Sequence, residues 1–439
     1  VIGVHLLLSS QAQSPYASIR ADQGTLTAPA TTKPCSGSSD GSCVQFGQGA
    51  ISFNVVGNKI MESNGTQFVP YGFVVPCAAN FVQPSDVSSL CQSGSTENSG
   101  SDILTAAAQD WHANIVRLQV SQENLFSETT NDTCSSNPGS VNQNYLKVVD
   151  GLVNEANSLG MVAIISLQEE LAGGCAFPTS SSTAFWHYMA NYYKNNPEVF
   201  FDLYNEPQLS VNATGGKNTT GEANLWNIWQ NGGTAITQTD SAGISTTTPP
   251  ATTNYVGMQT LIDTIRGQGA SNIVIAEGNT KDHDLSGVPT HVLTGGNVAY
   301  GNEPNLNDGD TTQAGQLKRF GQYAATWPIM PEAFLDQYGT EACDPNSATD
   351  IPELFSYLKS LNMGLISWSL SPGVDIQATS SDPRGDLDLP TDYSAASARA
   401  SNYSSSDCPT VGGSDTSTSV TFGPGQLIQQ YYTLNSIQF

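Results

Sequence analysis

The chain has 439 residues, and its 39 Asp and Glu residues outnumber its 14 Lys and Arg residues to give a formal net charge of -25. This length fits one decorated domain, because barrels of alternating strands and helices run from about 200 to over 400 residues. The absence of basic clusters excludes a nucleic-acid-binding role based on phosphate contacts. An acidic chain rich in Ser, Thr, Asn and Gly suits an extracellular protein.

The first 50 residues differ from the rest of the chain. VIGVHLLLSSQAQS resembles the tail of a signal peptide, yet it lacks an initiator Met and a basic region and is too short to span a bilayer. If it is retained, Val1 to Leu8 is a strand that pairs with an edge on another copy of the protein or on its own barrel. Residues 9 to 50 are predicted to be a linker or arm. We therefore predict an arm over 1–50 and a folded domain over 51–439.

The folded domain is predicted to begin with a hairpin. ISFNVVGNKIMESNGTQFVPYGFVV alternates apolar and polar residues around Asn64-Gly65, a dipeptide that favours a tight turn. The hairpin is expected to lead into a buried strand.

Strand and helix signals then alternate along the chain. The predicted helices cover 103–111, 146–156, 183–194, 255–266, 312–325 and 351–361, and the further strands are NIVRLQV, MVAIISLQ, VFFDLYN, NIVIAEGN, NVAYGN, FLDQYG and MGLISWSL. Apolar strands that alternate with helices indicate a parallel sheet covered on both faces. Eight such strands predict an α/β fold, a (β/α)8 TIM barrel with an N-terminal β-hairpin and an extended arm. Residues 209–254 and 372–416 break the pattern and are predicted to be long rim loops.

The chemistry of such a barrel lies at the C-terminal ends of its strands. The polar and aromatic residues predicted there are Arg117, Gln168, Asn205, Glu206, Glu277, Asn302, Gln337 and Trp368. A carboxylate on the Asn-Glu-Pro turn of FDLYNEPQ is suited to acid chemistry on a sugar bond. Glycoside hydrolysis usually needs a second carboxylate, at about 5 to 5.5 Å for retention or roughly 6.5 to 9.5 Å for inversion.

The segments FVPYGF, NIVRLQV, FDLYNEPQ, FLDQYG and ISWSLSPG occur in an order that resembles the cellulase-like family 5 of glycoside hydrolases. The resemblance covers most of residues 51–439. It implies a retaining mechanism in which the Glu of the Asn-Glu-Pro turn is the acid/base and a Glu ending the seventh strand is the nucleophile. Glu206 matches the acid/base, and Asn205 matches the residue that orients the sugar 2-hydroxyl. Arg117 matches the second-strand Arg near the nucleophile, and Trp368 matches the aromatic floor for a sugar ring.

The chain departs from the family pattern at several polar positions. AFLDQYG places Gln337 at the nucleophile position, and a neutral amide cannot attack the anomeric carbon as a carboxylate does. Gln168 replaces the third-strand His. Glu303 and Asn305 replace the sixth-strand His-x-Tyr.

Other carboxylates offer alternatives for the nucleophile. Glu332 in WPIMPEAF provides a different register, but its spacing is one residue short and Pro331 would interrupt a central strand. Gln337 is favoured because Tyr338-Gly339 follows it, while Glu341 and Glu303 on nearby loops stay open.

Each site residue also has a structural interpretation. Glu206 is predicted to form a buried ion pair with Arg117 slightly in preference to a catalytic role. Trp368 fits barrel packing as well as sugar stacking, and Glu277 is predicted to be a solvated rim residue. The histidines show no metal-ligand spacing, so no metal and no cofactor are predicted.

Eight cysteines without a CxxC motif favour disulfides formed in an oxidising compartment. Spacing suggests the pairs Cys35–Cys43, Cys77–Cys91, Cys134–Cys175 and Cys343–Cys408. Asn-x-Ser/Thr glycosylation sites occur at Asn64, Asn131, Asn212, Asn218 and Asn402.

The substitutions favour a secreted barrel of glycosidase ancestry that no longer hydrolyses. Such a protein would bind polysaccharide or oligosaccharide, or assemble into an oligomer or filament through its arm, with no nucleic-acid partner and no membrane span. The alternative is an active retaining endo-β-glycosidase on cellulose-like or mannan-like polymers, with Glu206 as acid/base and a displaced carboxylate as nucleophile. A third hypothesis, an engineered Glu→Gln change at Gln337, is disfavoured by the further substitutions nearby.

Overall fold

The structure, a computed structural model, describes residues 30–34, 42–46, 51–75, 101–109, 111–126, 139–168, 177–209, 222–236, 252–304, 313–334, 347–368, 428 and 431–435. The chain divides into two compact units, Val1–Ile51 and Ser52–Phe439. In the first unit, β1 (Ala30–Pro34) and β2 (Ser42–Phe46) pair antiparallel. The segment predicted to be a linker therefore contains a strand pair, which its β-branched Thr and Val residues favour.

The second unit begins with the predicted hairpin. Its strands are β3 (Phe53–Val56) and β4 (Lys59–Glu62). The turn lies at Gly57-Asn58 rather than at Asn64-Gly65, and Gly57 has the left-handed φ of 62° that this turn requires. Asn64-Gly65 forms a second turn immediately after β4, with Gly65 at φ 89°. Asn64 is exposed there, and its side-chain amide donates a hydrogen bond to Glu62.

A closed barrel of parallel strands forms the centre of this unit. The strands from here onward are β5 (Tyr71–Val75), β6 (Ile115–Val120), β7 (Val162–Leu167), β8 (Val199–Asp202), β9 (Gly233–Ile236), β10 (Thr252–Tyr255), β11 (Val274–Glu277), β12 (Val298–Asn302), β13 (Ile329–Phe334) and β14 (Leu365–Trp368). The barrel order is β5-β6-β7-β8-β11-β12-β13-β14, and β14 pairs with β5 to close it. The predicted (β/α)8 barrel with an N-terminal hairpin is confirmed.

Helices separate most of the barrel strands, whereas only a 3-10 turn over Val288–Thr290 lies between β11 and β12. The helices are α1 (Ser101–Gln109), α2 (Gln122–Phe126), α3 (Gln143–Ser158), α4 (Ser180–Tyr193), α5 (Glu222–Asn231), α6 (Met258–Gly267), α7 (Gln313–Gln316), α8 (Gln322–Ala324) and α9 (Ser347–Ser360), with a π-helical turn over Leu317–Gly321. The helix α5 and, apart from Tyr255, the antiparallel pair β9–β10 lie within 209–254, which was predicted to be a loop. Trp226 and Trp229 favour a helix here, because a helix places both rings on one face, where they are buried.

The seventh barrel strand lies earlier than predicted. The prediction over FLDQYG shares only Phe334 with β13. Pro331 does not break this strand, because pairing with β12 covers residues 329 to 331 and pairing with β14 begins at Glu332. Pro331 is therefore the last residue of β13 that pairs with β12, immediately before the residues that pair with β14. A missing backbone N–H is tolerated at that position.

A C-terminal helical turn over residues 431–435 packs against the closure of the barrel. The hydroxyl of Tyr432 lies 2.7 Å from the carbonyl oxygen of Gly72 on β5 and 2.9 Å from that of Leu365 on β14. This side chain thus links the first and last strands.

Several predicted features fall outside the described residues. These are the Val1–Leu8 strand, the loop at 372–416, at least one cysteine of each predicted disulfide, and the sites Asn131, Asn212, Asn218 and Asn402. Within the part of the chain that is described, no helix has both the length and the apolarity to cross a membrane.

Candidate active site

A cluster of buried charged groups occupies the C-terminal end of the barrel. Arg117 on β6 is its centre and is only 2% exposed. Its Nε and Nη2 donate to Asp202 Oδ2 on β8 at 2.9 and 2.5 Å. Its Nη1 forms an ion pair with Glu332 Oε2 on β13 at 2.9 Å. The planar guanidinium therefore holds two carboxylates from separate strands in fixed positions.

Glu332 points into the barrel and is buried. Burial raises the pKa of its carboxyl to about 7, while the charge of Arg117 opposes that rise and the charges of Asp202 and Glu206 add to it. The carboxyl groups of Glu332 and Glu206 are therefore within electrostatic reach of each other across the barrel mouth.

Glu206 lies on the Asn-Glu-Pro turn after β8 and is partly exposed. Its backbone is left-handed, with a φ of 44°, a conformation that costs energy for a residue with a side chain and is frequent at functional sites. Its carboxylate forms an ion pair of 3.1 Å with Lys281 Nζ. The predicted ion pair with Arg117 is thus wrong, because Asp202 and Glu332 take the guanidinium instead.

The loop after β11 holds this turn in place. Thr280, Lys281 and Asp282 are all left-handed, with φ of 62°, 56° and 61°. The backbone N–H of Glu206 donates to Asp282 Oδ2 at 3.2 Å, and that of Lys281 donates to the carbonyl of Pro207 at 3.3 Å. The loop therefore holds the turn at the N–H of Glu206 and at the carbonyl of Pro207.

Asp282 is itself fixed by β12 and the residue after it. Its carbonyl oxygen accepts from Asn302 Nδ2 at 2.5 Å and from the N–H of Glu303 at 3.1 Å. Burial raises the pKa of the Asp282 carboxyl well above its usual range, and the charges of Glu277 and Glu303 raise it further.

Glu277, predicted to be a solvated rim residue, is only 4% exposed. Its Oε1 lies 3.8 Å from Nη2 of Arg117. Burial and the charge of Asp202 raise the pKa of the Glu277 carboxyl well above its usual range. The prediction was wrong because the strand ends inside the barrel mouth and not on its outer rim.

The remaining predicted residues also lie at the strand ends. Asn205 and Gln168 are buried, and their backbone N–H groups donate to Leu167 and Val120 at 2.9 Å. Asn302 and Glu303, which hold Asp282, are also buried. Trp368 ends β14 opposite Phe334. The side chain of Trp368 and all of Gln337, Asn305 and Glu341 lie outside the described residues.

Sequence reasoning did not single out Asp202, Lys281 or Asp282 as functional residues. Asp202 carried a usable signal, since a carboxylate in the apolar strand VFFD must find a cation when it is buried. Lys281 and Asp282 carried none, because their roles depend on how the loop folds back onto the Glu206 turn.

The arrangement supplies carboxyl groups for acid, base and nucleophilic chemistry. Glu206 is accessible and Glu332 is buried against a cation, so their environments are distinct, as roles in a two-carboxylate reaction require. Among the described residues, no group of three or more His, Cys, Asp and Glu side chains is arranged to hold a metal ion.

Comparison with known proteins gives one family. The family model for cellulase, glycosyl hydrolase family 5, matches residues 82–373. A stretch of 165 residues is 26% identical to an endoglucanase of Paenibacillus polymyxa. That stretch covers 35% of this chain and only 40% of the length of that relative.

Solved structures share the barrel. A β-glucanase of Saccharophagus degradans in complex with cellotetraose is 16% identical and has a TM-score of 0.53, over 89% of this chain and 95% of that one. The catalytic domain of an endoglucanase of Thermobifida fusca is 13% identical with a TM-score of 0.52, over 87% and 97%. At these identities the likeness shows the fold alone.

Proposed function

This chain belongs to the cellulase family, glycosyl hydrolase family 5, and we propose that it is an extracellular, retaining endo-β-glycosidase with Glu206 as acid/base and Glu332 as nucleophile. The observation that carries the proposal is the 2.9 Å ion pair between Arg117 and Glu332. It joins an Arg of the second barrel strand to a Glu of the seventh, the combination that the family pattern assigns to the nucleophile. The sequence-based expectation of an incomplete site depended on Gln337, which β13 does not reach, and on the substitutions at Gln168, Glu303 and Asn305.

The reaction needs two carboxyl groups in opposite protonation states. Ionised Glu332 attacks the anomeric carbon while Glu206 gives its proton to the leaving glycosidic oxygen, which forms a covalent glycosyl-enzyme. Glu206 then takes a proton from water, and the resulting hydroxide displaces Glu332 to release a sugar of retained configuration. Arg117 supports this cycle because its charge favours the ionised form of Glu332 against the effect of burial.

The substrate class follows from the charge of the site and from the relatives. Neutral β-linked glucans or mannans suit a cleft lined by carboxyl groups, which would repel anionic polysaccharides. The bound cellotetraose of the Saccharophagus degradans β-glucanase supports a β-glucan as the first choice. Trp368 at the end of β14 is the proposed platform for a sugar ring.

The test is reducing-sugar release from β-glucan and mannan by the wild type and by E332Q, E206Q and Q337E. We expect E332Q to abolish turnover and E206Q to reduce it by about 10²- to 10⁴-fold, because a general acid contributes about that factor. Q337A is the matched control and should stay active. For the E332A variant, azide should restore turnover and give a glycosyl azide of inverted configuration, because the small anion enters from the side that the carboxylate has vacated.

Two results would contradict this assignment. If E332Q retains wild-type turnover, the nucleophile lies elsewhere. If the wild type releases no sugar while Q337E does, Gln337 marks the nucleophile position and the native protein is non-hydrolytic. In that second case the carbohydrate-binding or self-assembling role becomes the better proposal, and deletion of Val1 to Leu8 followed by light scattering would test the arm.

A further inference from the structure

We propose that Glu277 is a positioning residue that acts as a neutral carboxylic acid: it donates a hydrogen bond to Asp202 and thereby fixes Arg117 on Glu332. This inference rests on the proposed function, because it assigns to Glu277 the support of the nucleophile. Glu277 itself would not touch the reacting atoms.

The distances from the guanidinium of Arg117 distinguish Glu277 from the other two carboxyl groups. The Nε and Nη2 atoms of Arg117 donate hydrogen bonds to Asp202 at 2.9 and 2.5 Å, and Nη1 forms an ion pair with Glu332. Glu277 Oε1 is more distant from the guanidinium, at 3.8 Å from Nη2. On the neighbouring strand β8, the Oδ1 atom of Asp202 is buried and receives no hydrogen bond from another group among the described residues, so it is an acceptor that a protonated Glu277 would satisfy. Two carboxyl oxygens can share a hydrogen bond only if one of them carries a proton.

The charge balance requires that proton. Asp202, Glu277 and Glu332 surround one buried cation, and full ionisation would leave two uncompensated negative charges away from water. Such burial is costly, so a group in this position takes up a proton instead. Glu277 has the longest distance to the guanidinium of the three and receives the least attraction from it. The raised pKa of Glu277, caused first by burial, agrees with this choice.

The fold makes a specific place for this side chain. Glu277 pairs with Gly301 on β12, and a Cβ added to Gly301 would meet the Glu277 carboxyl at 1.7 Å from Oε2. The carboxyl therefore lies flat on the glycine and has little freedom to turn towards solvent. The charged or titratable groups that act on it are Arg117 from β6, Asp202 from β8 and Glu332 from β13, and Asp282 on the following loop is its further titratable neighbour.

The experiment compares E277Q with E277L in the full chain. The Gln amide donates a hydrogen bond and is neutral, so E277Q should keep kcat/KM within about threefold and leave the acid limb of its pH profile unchanged. Leu has a similar volume but no donor, so E277L should lose kcat by about 10- to 100-fold with little change in KM, as expected when a hydrogen bond to a charged group is lost.

An infrared difference spectrum reports on Glu277 without using activity. At about pH 8 the band of a protonated carboxylic acid should be present in the wild type and absent from E277Q. An unchanged band, an acid limb that moves to lower pH in E277Q, or full activity in E277L would each overturn the inference. Because E277Q is nearly isosteric, it decides the matter even if E277L fails to fold. A wild type that hydrolyses nothing would instead overturn the proposed function, and the catalytic part of the inference with it.

Discussion

The charge state of Glu332 is set by two opposing effects. Burial favours its neutral form, and Arg117 favours its ionised form, with a resulting pKa of about 7. A nucleophile acts only when ionised, so activity should be present above this pKa and lost as the pH falls through it. We predict that the acid limb of kcat/KM lies near pH 7 in the wild type, which a pH profile on soluble β-glucan would measure.

The variant R117K tests whether the acid limb of the pH profile reports the ionisation of Glu332. Lys keeps the positive charge but offers no planar fork, so one ammonium cannot hold both Asp202 and Glu332 as Arg117 does. The acid limb should therefore move to higher pH, and kcat should fall. A wild-type limb near the ordinary Glu value of 4.5 would contradict the prediction, since it would show that burial does not dominate at Glu332.

At the residue scale, the sequence was sufficient to place a site residue where its motif adjoins a strand that the apolar pattern also predicts. Asn205 and Glu206 were predicted to lie at a strand end, and they follow the end of β8. Arg117 was also predicted at a strand end but is the third of the six residues of β6, from which its side chain reaches the same cluster. Glu332 was passed over because its spacing is one residue short of the family pattern and because Pro331 was taken as a strand breaker. A sequence does not show which neighbouring strand a residue pairs with. Glu277 was read as solvated because its burial depends on strands far away in the chain.

At the element scale, β12 is adapted to its neighbour β11 through the absence of a side chain. A methyl group at Gly301 would lie 1.7 Å from Glu277 Oε2, and that carboxyl is confined on its other side by Arg117, whose Nη2 lies 3.8 Å from Oε1. We predict that G301A lowers the free energy of unfolding by about 1 to 3 kcal/mol or more, as overpacking does. It should also reduce kcat. Urea unfolding and steady-state kinetics would measure both.

Gly151 provides the matched control for this substitution. It lies in the middle of α3, is exposed, and has no atom within 4 Å of an added Cβ. G151A should therefore stabilise the protein by about 0.5 to 1 kcal/mol through helix propensity, with unchanged activity. If G301A proves as well tolerated as G151A, the close packing of Glu277 on β12 is not as described.

The spacing of apolar residues predicted most helices and strands, because it reflects which faces of an element are buried. The helices α3, α4 and α6 and the strands β6, β7 and β11 all lie where apolar spacing placed them. The helix α5 was missed because its LWNIW core is short and flanked by Asn-, Thr- and Gly-rich segments typical of loops. The turn of the first hairpin was misplaced because Gly57-Asn58 and Asn64-Gly65 both suit left-handed turn positions, and only strand pairing distinguishes them.

At the scale of the whole molecule, the buried carboxyl groups couple stability to pH. The pKa values of Glu277, Asp282 and Glu332 are all raised in the folded state, chiefly by burial. Between the unfolded and folded pKa values, the folded state binds protons that the unfolded state does not. Stability therefore falls as the pH rises through that window, by up to about 1.4 kcal/mol per pH unit for each proton.

For Glu332 this window runs from 4.5 to about 7, and for the other two it begins near the ordinary carboxyl range and extends upward. We predict that the unfolding temperature is highest near pH 5 and declines towards pH 8, measured by circular dichroism. The scans should be run at high ionic strength, because salt screens the repulsion among surface charges of a chain with net charge -25 far more than it screens buried groups. E277Q should flatten the decline and be more stable than the wild type at pH 8, since it removes a carboxyl group whose ionisation the fold opposes. An unfolding temperature that rises from pH 5 to pH 8 in the wild type would mean that paired carboxylates with lowered pKa values outweigh this buried set.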